Sequence, residues 1–277
     1  MSAPTRVFVV GCARSGTTLL QSLLAAHPAI ASFPESHFFR RLLPGRRWAR
    51  VLGLASPRAR PRFLAFLDDL GRPDLAGALP RFLPLARLYA SGFVQTLDRL
   101  ASEQGKAVWV EKTPGHLWHV EEIRRLVPDA RFIHIVRSGP DVIASMYEVT
   151  HEHPQTWSGS RDIDSCIDRW VGDIGITRKY ADDSTHAIIT YERLVAEPVS
   201  VLQDLCRFLD VEFTDAMLGG YQAAAGSLVL ERESWKASVQ TSIRSANGTK
   251  FFAIFDAAER DYILGRLSAV EEAFPGS

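Results

Sequence analysis

A loop that could bind a phosphate-like anion lies near the start of the chain. The apolar residues 7–10 predict a buried strand, residues 11–18 read GCARSGTT, and the apolar spacing that continues to residue 26 predicts a helix. In such a loop, backbone N–H groups and the positive end of the helix converge on an oxyanion. The sequence therefore predicts an anion site between the first strand and the first helix.

The loop departs from the nucleoside triphosphatase pattern GxxxxGK[ST] at one informative position. Both glycines and the final hydroxyl are present, but Thr17 stands where the pattern has lysine, and Arg14 is the only cation of the loop. In kinases that lysine neutralises the β- and γ-phosphates together with Mg²⁺. A loop without it is expected to hold less negative charge. A sulfuryl donor fits, because a sulfonate carries about one negative charge and a terminal phosphate nearly two; the alternative is a glycine-rich turn.

The elements around this loop predict an α/β fold. Further apolar runs at 107–111, 131–137 and 186–191 are typical of strands buried on both faces of a parallel sheet. Helical patterns alternate with them, which predicts a three-layer P-loop-like arrangement with helices on both faces of the sheet. The predicted helices span residues 17–26, 86–104, 117–127, 140–150, 163–181, 198–209 and 256–273.

Polar residues follow the predicted strands, where open parallel sheets bind their ligands. Arg14, Lys112, Arg137 and Tyr191 each come at or just after a strand end. We expect them to meet at one rim, which would suit an anion with two charged ends. The alternatives are a surface arginine at 137 and a lysine at 112 that pairs with Glu111.

Composition is that of an ordinary soluble globular protein. The 277 residues are 46% hydrophobic and 23% charged, and the formal net charge is zero, so no overall field favours nucleic acid or a membrane. The three cysteines are not in CxxC spacing, which indicates neither a disulfide framework nor a zinc site. No apolar run reaches the roughly 18–20 residues of a membrane span. With no cationic and apolar leader before the first strand, a cytoplasmic protein is expected.

Two segments do not follow the strand and helix alternation. Residues 40–85 are rich in arginine and proline, and we expect a helical insertion over about 40–100 that shapes the acceptor site. Residues 226–252 contain few long apolar runs and are predicted to form a loop before the last helix. The chain is expected to be one domain, 1–277.

Four motifs together resemble the sulfotransferases that use 3′-phosphoadenylyl sulfate (PAPS). They are RSGTT at 14–18, EKTP at 111–114, IVRSGPDVIASM at 135–146 and ITYERLVAEP at 189–198. The resemblance covers about 5–40 and 105–215 and is nearest to the branch with tyrosylprotein and bacterial carbohydrate or metabolite sulfotransferases. It implies a sulfotransferase-type fold, PAPS as co-substrate, 3′-phosphoadenosine 5′-phosphate (PAP) as product, and transfer to a hydroxyl without a metal.

The resemblance also implies roles for particular residues. The 5′-phosphosulfate would be held by Arg14, Ser15, Gly16, Thr17 and Thr18. Arg137 and Ser145 would hold the 3′-phosphate, for which the planar guanidinium is suited, and Tyr191 would line the nucleotide site. Lys112 would stabilise charge on the leaving phosphate. In the tail, Ser234 and Lys250 would contact the nucleotide.

The general base is expected to be Glu35. In the hormone and phenol branch of the family, a histidine stands two residues after the lysine, but here that residue is Pro114. The glutamate of the tyrosylprotein branch corresponds to Glu35, and partial burial would raise its pKa toward neutrality. Alternatively, Glu35 only charges the first turn of a helix at 36–43. Other candidate bases are His37, His116, His119 and His151, whereas His134 is predicted to be a core residue.

Two other functions fit parts of the pattern. A P-loop kinase acting on a small metabolite would need Mg²⁺ ligands and a substitute for the missing lysine. A non-catalytic nucleotide-binding or glycan-binding module would bind the nucleotide without transfer, but would need neither Lys112 nor Glu35. The acceptor, whether small molecule, glycan, lipid or peptide tyrosine, and the oligomeric state are left open; nucleic acid is not expected as a partner.

Overall fold

A five-stranded parallel sheet forms the centre of the computed structural model, which describes residues 3–228 and 248–271. The strand order is β2-β3-β1-β4-β5. The strands are β1 (Thr5–Gly11), β2 (Ile30–Phe33), β3 (Val108–Lys112), β4 (Ala130–Val136) and β5 (His186–Thr190). The four predicted strands are confirmed as β1, β3, β4 and β5. The strand β2 has only four residues, Ile-Ala-Ser-Phe, too few to give a distinctive pattern.

Helices connect the strands and cover the sheet. Those before β4 are α1 (Thr17–Ala25), α2 (Phe38–Leu42), α3 (Arg47–Val51), α4 (Ala59–Asp69), α5 (Ala86–Glu103) and α6 (Val120–Leu126). Those after β4 are α7 (Gly139–Glu152), α8 (Pro154–Trp157), α9 (Ile163–Arg178), α10 (Tyr191–Ala196), α11 (Pro198–Leu209), α12 (Ala216–Leu228), α13 (Thr249–Ile254) and α14 (Ala257–Glu271). The predicted helix at 117–127 is shorter, since Pro114–His119 forms a 3₁₀ turn before α6.

Side chains of β1 alternate between two halves of the core, because successive residues of a strand point to opposite faces. Phe8 belongs to an aromatic-rich cluster with residues of α2, α4 and α5. Val7 and Val9 belong to an aliphatic cluster with residues of α1, α11 and α12. Both faces of β1 are therefore buried, which explains its continuous apolar sequence.

The carboxyl ends of the strands share one edge of the sheet. After β1 the chain runs to β2 on one side, and it later crosses to β4 on the other side of β1. The loop after β1 therefore lies at the topological switch point, where open α/β sheets form a ligand crevice. Among the described residues, no helix is long and apolar enough to cross a bilayer.

Two buried histidines, His134 in β4 and His186 at the start of β5, lie next to each other and away from this edge. His134 Nε2 lies 2.8 Å from His186 Nδ1, and the ring of His186 stacks between Phe132 and Tyr180. The prediction that His134 is a core residue is confirmed. Burial lowers the pKa of His134 to about 3 and that of His186 to about 4.

This pair should make the fold sensitive to acid. The folded chain keeps both rings neutral, whereas the unfolded chain takes up protons once the pH falls below about 6.5, so stability is lost from there toward pH 4. We expect Tm to fall by roughly 5 °C or more over this range. Thermal unfolding of His186→Phe should show a smaller fall, and His151→Gln, at an exposed site, should match the wild type. Equal falls in all three would contradict this explanation.

Candidate active site

The loop after β1 has the shape of an anion cradle. Gly11 and Gly16 have positive φ angles of 155° and 89°, and a Cβ atom on Gly16 would lie 2.4 Å from Cδ2 of Tyr191. No side chain caps the N-terminus of α1, so its first N–H groups are available to a ligand. Ser15 is fully buried, and its Oγ has no hydrogen-bond partner among the described residues. These features fit a bound oxyanion.

Two arginines and their neighbours extend the cradle toward β4 and β5. Arg14 Nε donates a hydrogen bond to Ser145 Oγ at 3.1 Å, which joins the loop to α7. The guanidinium carbon of Arg137 lies 4.3 Å from the ring centroid of Tyr191. Burial and then the charge of Arg137 lower the pKa of Arg14, which still remains cationic at neutral pH. Two close guanidinium groups create a local positive potential that a phosphate would relieve.

Lys112 and Glu35 form an ion pair at the ends of β3 and β2. Lys112 Nζ lies 2.5 Å from Glu35 Oε1, and the two side chains are only 2% and 12% exposed. The pairing of Lys112 with Glu111 considered from the sequence is therefore wrong: these neighbours in β3 point to opposite faces. The ammonium and carboxylate groups therefore face each other in a site that is almost closed to solvent.

Glu111 instead anchors the segment that carries Glu35. Its Oε1 accepts hydrogen bonds from the backbone N–H and hydroxyl of Ser36 and from the hydroxyl of Thr113, and its Oε2 lies 2.9 Å from His116 Nδ1. Burial, the largest influence, raises the pKa of Glu111, but the interaction with His116 and these hydrogen bonds outweigh it, so that the pKa is lowered. Glu111 is thus a fully buried carboxylate.

The same network accepts hydrogen bonds from the backbone N–H groups at the start of α2. The N–H groups of His37, Phe38 and Phe39 donate to Thr113 Oγ1, Ser36 Oγ and His116 Nε2, respectively. Sequence reasoning did not identify this network. Its signal is the polar sequence EKTPGH at 111–116, directly after a buried strand.

The candidate histidine bases differ in position. His37 Nε2 lies 3.4 Å from Glu35 Oε2, and burial lowers the pKa of His37 to about 4 although the charge of Glu35 opposes this. His116 is fully buried in the Glu111 network. Burial lowers the pKa of His119 to about 4 as well. His151 is exposed and bonds to the carbonyl of Tyr147.

Of the two tail residues predicted to contact the nucleotide, only Lys250 can be placed. It forms an ion pair with Glu148, whose charge also acts on Arg14. Gly248 N donates to Asp141 Oδ1 at 2.7 Å, which brings the start of α13 against α7. Ser234 lies outside the described residues.

Comparisons with known proteins give a consistent assignment. Residues 4–215 match the family model described as the sulfotransferase family. Protein-tyrosine sulfotransferase 1 of Danio rerio is 28% identical over 221 residues, 76% of this chain, but the chain spans only 55% of that relative.

The sulfotransferase domain of the curacin biosynthetic pathway has a TM-score of 0.60 at 19% identity, with 97% of this chain and 99% of that chain covered. Mouse sulfotransferase SULT7A1, solved in complex with PAP, has a TM-score of 0.54 at 12% identity, with 98% and 86% covered. The structures share the fold, and the match over 4–215 shows that the chain belongs to the sulfotransferase family.

Proposed function

We propose that this protein transfers a sulfuryl group from PAPS to a hydroxyl acceptor. The observation that carries the proposal is the buried Lys112–Glu35 pair, which lies at the same sheet edge as an uncapped anion cradle. A module that only binds a nucleotide has no need of a base beside a lysine. The chemistry needed at this edge is charge neutralisation and proton removal, and this pair supplies both groups.

The residues of the cradle fit the donor. In the proposal, residues 14–18 hold the 5′-phosphosulfate, with the N–H groups of α1 and Ser15 Oγ as donors. Arg137 and Ser145 hold the 3′-phosphate, and Tyr191 lines the nucleotide site. Lys250 forms an ion pair with Glu148, whose charge acts on Arg14, and both Lys250 and Ser234 stay predicted nucleotide contacts.

In the proposed transfer, Glu35 acts on the acceptor and Lys112 acts on the leaving phosphate. PAPS supplies an activated sulfuryl group. Glu35 accepts the proton of the acceptor hydroxyl while the acceptor oxygen bonds to sulfur, and Lys112 stabilises the charge on the phosphate oxygen whose bond to sulfur breaks. The cradle contributes positioning and electrostatic stabilisation, which are the main contributions to phosphoryl transfer as well. We propose that no metal takes part, so that EDTA leaves the rate unchanged.

The acceptor site is proposed to lie against the insertion at about 40–100. α2 begins three residues after Glu35, and Arg62 Nε of α4 donates to the carbonyl of Ser36 at 2.6 Å. A hydroxyl-bearing small molecule, a glycan, a lipid or a peptide tyrosine is each compatible with this position. We propose a single sulfotransferase domain over 1–277 and a cytoplasmic location.

Nucleotide binding gives the first test. Saturating PAP should raise Tm by several degrees, since a ligand at about 100 times its Kd stabilises the folded state by roughly 2.7 kcal/mol. ATP with Mg²⁺ should give a much smaller shift. Arg137→Ala should remove most of the PAP shift, whereas Arg193→Ala, which loses surface contacts with Glu197, Ser200 and Asp204, should retain it. A shift with ATP and Mg²⁺ but none with PAP would favour the kinase alternative instead.

A further inference from the structure

Exposed apolar side chains are concentrated in one part of the molecule. Among the described residues, eleven large apolar side chains are exposed, and six of them lie between residues 48 and 85. We call these six the apolar tip: Trp48, Val51, Leu52, Phe82, Leu83 and Leu85. Phe82 is 91% exposed and Val51 is 79% exposed, so these side chains project outward and do not fold back onto the core. Such a concentration marks an interaction surface.

Backbone contacts join the two segments of the apolar tip into one surface. Leu54 and Leu85 form an antiparallel bridge, and Ala86 N donates to Gly53 O at 2.8 Å. The end of α3 therefore lies beside the loop at 80–85. The tip is a single exposed feature contributed by two stretches of the insertion.

The charge around the apolar tip is strongly positive. The continuous stretch 36–97, which carries the tip, contains eleven arginines and no lysine or glutamate against three aspartates, in a chain whose formal net charge is zero. Arg46, Arg58, Arg81 and Arg87 are exposed and take part in none of the ion pairs found among the described residues. The molecule is thus locally cationic around its most exposed apolar side chains.

We propose that the apolar tip binds a membrane surface that contains anionic lipids. Membrane-surface binding combines insertion of apolar side chains at the headgroup boundary with attraction between cationic residues and anionic headgroups, and the tip offers both. A lipid surface accepts a side chain that projects as far as Phe82, whereas a protein partner must provide a matching pocket. The excess of arginine over aspartate in this stretch favours an anionic surface over a neutral one. This inference does not depend on the use of PAPS.

Vesicle co-sedimentation tests the proposal with the full chain. The protein should bind vesicles of phosphatidylcholine mixed with phosphatidylglycerol, bind phosphatidylcholine alone weakly, and dissociate as salt is added. Phe82→Ser should lower the partition constant about tenfold. Arg81→Gln combined with Arg87→Gln should lower binding to the anionic vesicles about tenfold or more. Leu264→Ser, at a half-exposed site on α14, and Arg193→Gln are matched controls that should bind as the wild type does.

Several outcomes would overturn the proposal. One is equal binding to both vesicle types, and another is binding that Phe82→Ser leaves unchanged. Self-association in sedimentation velocity that Phe82→Ser abolishes, without vesicle binding, would assign the tip to a contact between two copies of the chain. Because the readout is sedimentation with lipid, a protein that fails to bind PAP still gives a decisive result here, and an unchanged Tm confirms that each variant is folded.

Discussion

Replacing Lys112 with alanine should lower kcat for sulfuryl transfer about a thousandfold, while PAP binds within a few-fold of the wild type. The Lys112 side chain is 2% exposed and lies at the end of β3, and in the proposal its ammonium group neutralises charge that develops only as the bond to sulfur breaks. Removing one donor of this kind costs about 10²–10³ in kcat when the site is preorganised and excludes water. Single-turnover transfer from labelled PAPS, with Tm to verify folding, gives the measurement.

Lys106 provides a matched control for this variant. It lies just before β3, at the opposite end of the strand from Lys112, is partly exposed, and donates to the carbonyl of Pro28 at 2.6 Å, so Lys106→Ala should keep nearly full activity. Lys112→Arg retains the charge with a different shape and should recover part of the loss. If Lys112→Ala retained more than about a tenth of the wild-type kcat, charge stabilisation by this residue would be wrong.

Replacing Glu35 with glutamine should lower kcat by about 10²–10³ with little effect on PAP binding. Glutamine keeps the shape of the side chain and can still accept a hydrogen bond from Lys112, but it cannot take the acceptor's proton. A positioned general base contributes about 10²–10⁴ to the rate. Steady-state kinetics with a responsive acceptor, together with PAP titration, separate the loss of a base from the loss of a binding site.

His37 is the competing base, because it lies 3.4 Å from Glu35 and stays neutral at pH 7. In the proposal, His37→Gln lowers kcat only several-fold, through altered packing around Glu35. The reverse pattern, with Glu35→Gln nearly active and His37→Gln inactive, would identify His37 as the general base in place of Glu35.

Four of the five strands, and the polar residues that follow them, could be predicted because each depends on a short stretch of sequence. Strands buried on both faces must be continuously apolar, so β1, β3, β4 and β5 are visible as short runs, and the polar residue that follows each run must lie at the shared edge. Arg14 and Ser145 were expected to act on different phosphates of the donor. The structure shows the two side chains in direct contact, 3.1 Å apart, across 131 residues.

Features that depend on contacts between distant segments could not be predicted. The pairing of Lys112 with Glu35 joins residues 77 positions apart, and it forms only because β2 lies beside β3 in the folded sheet. The Glu111 network is likewise visible only once β2 and β3 are side by side. Composition also concealed the cationic tip, because its arginines are balanced by acidic residues elsewhere in a chain of zero net charge.

A crystal structure of the complex with PAP would show whether the donor binds at this edge of the sheet. We expect the 5′-phosphate to accept hydrogen bonds of about 3 Å from the N–H groups that begin α1 and to face Lys112, and the 3′-phosphate to contact Arg137 and Ser145. A structure in which PAP binds elsewhere, with the loop at 11–18 and Arg137 making no contact to either phosphate, would contradict it.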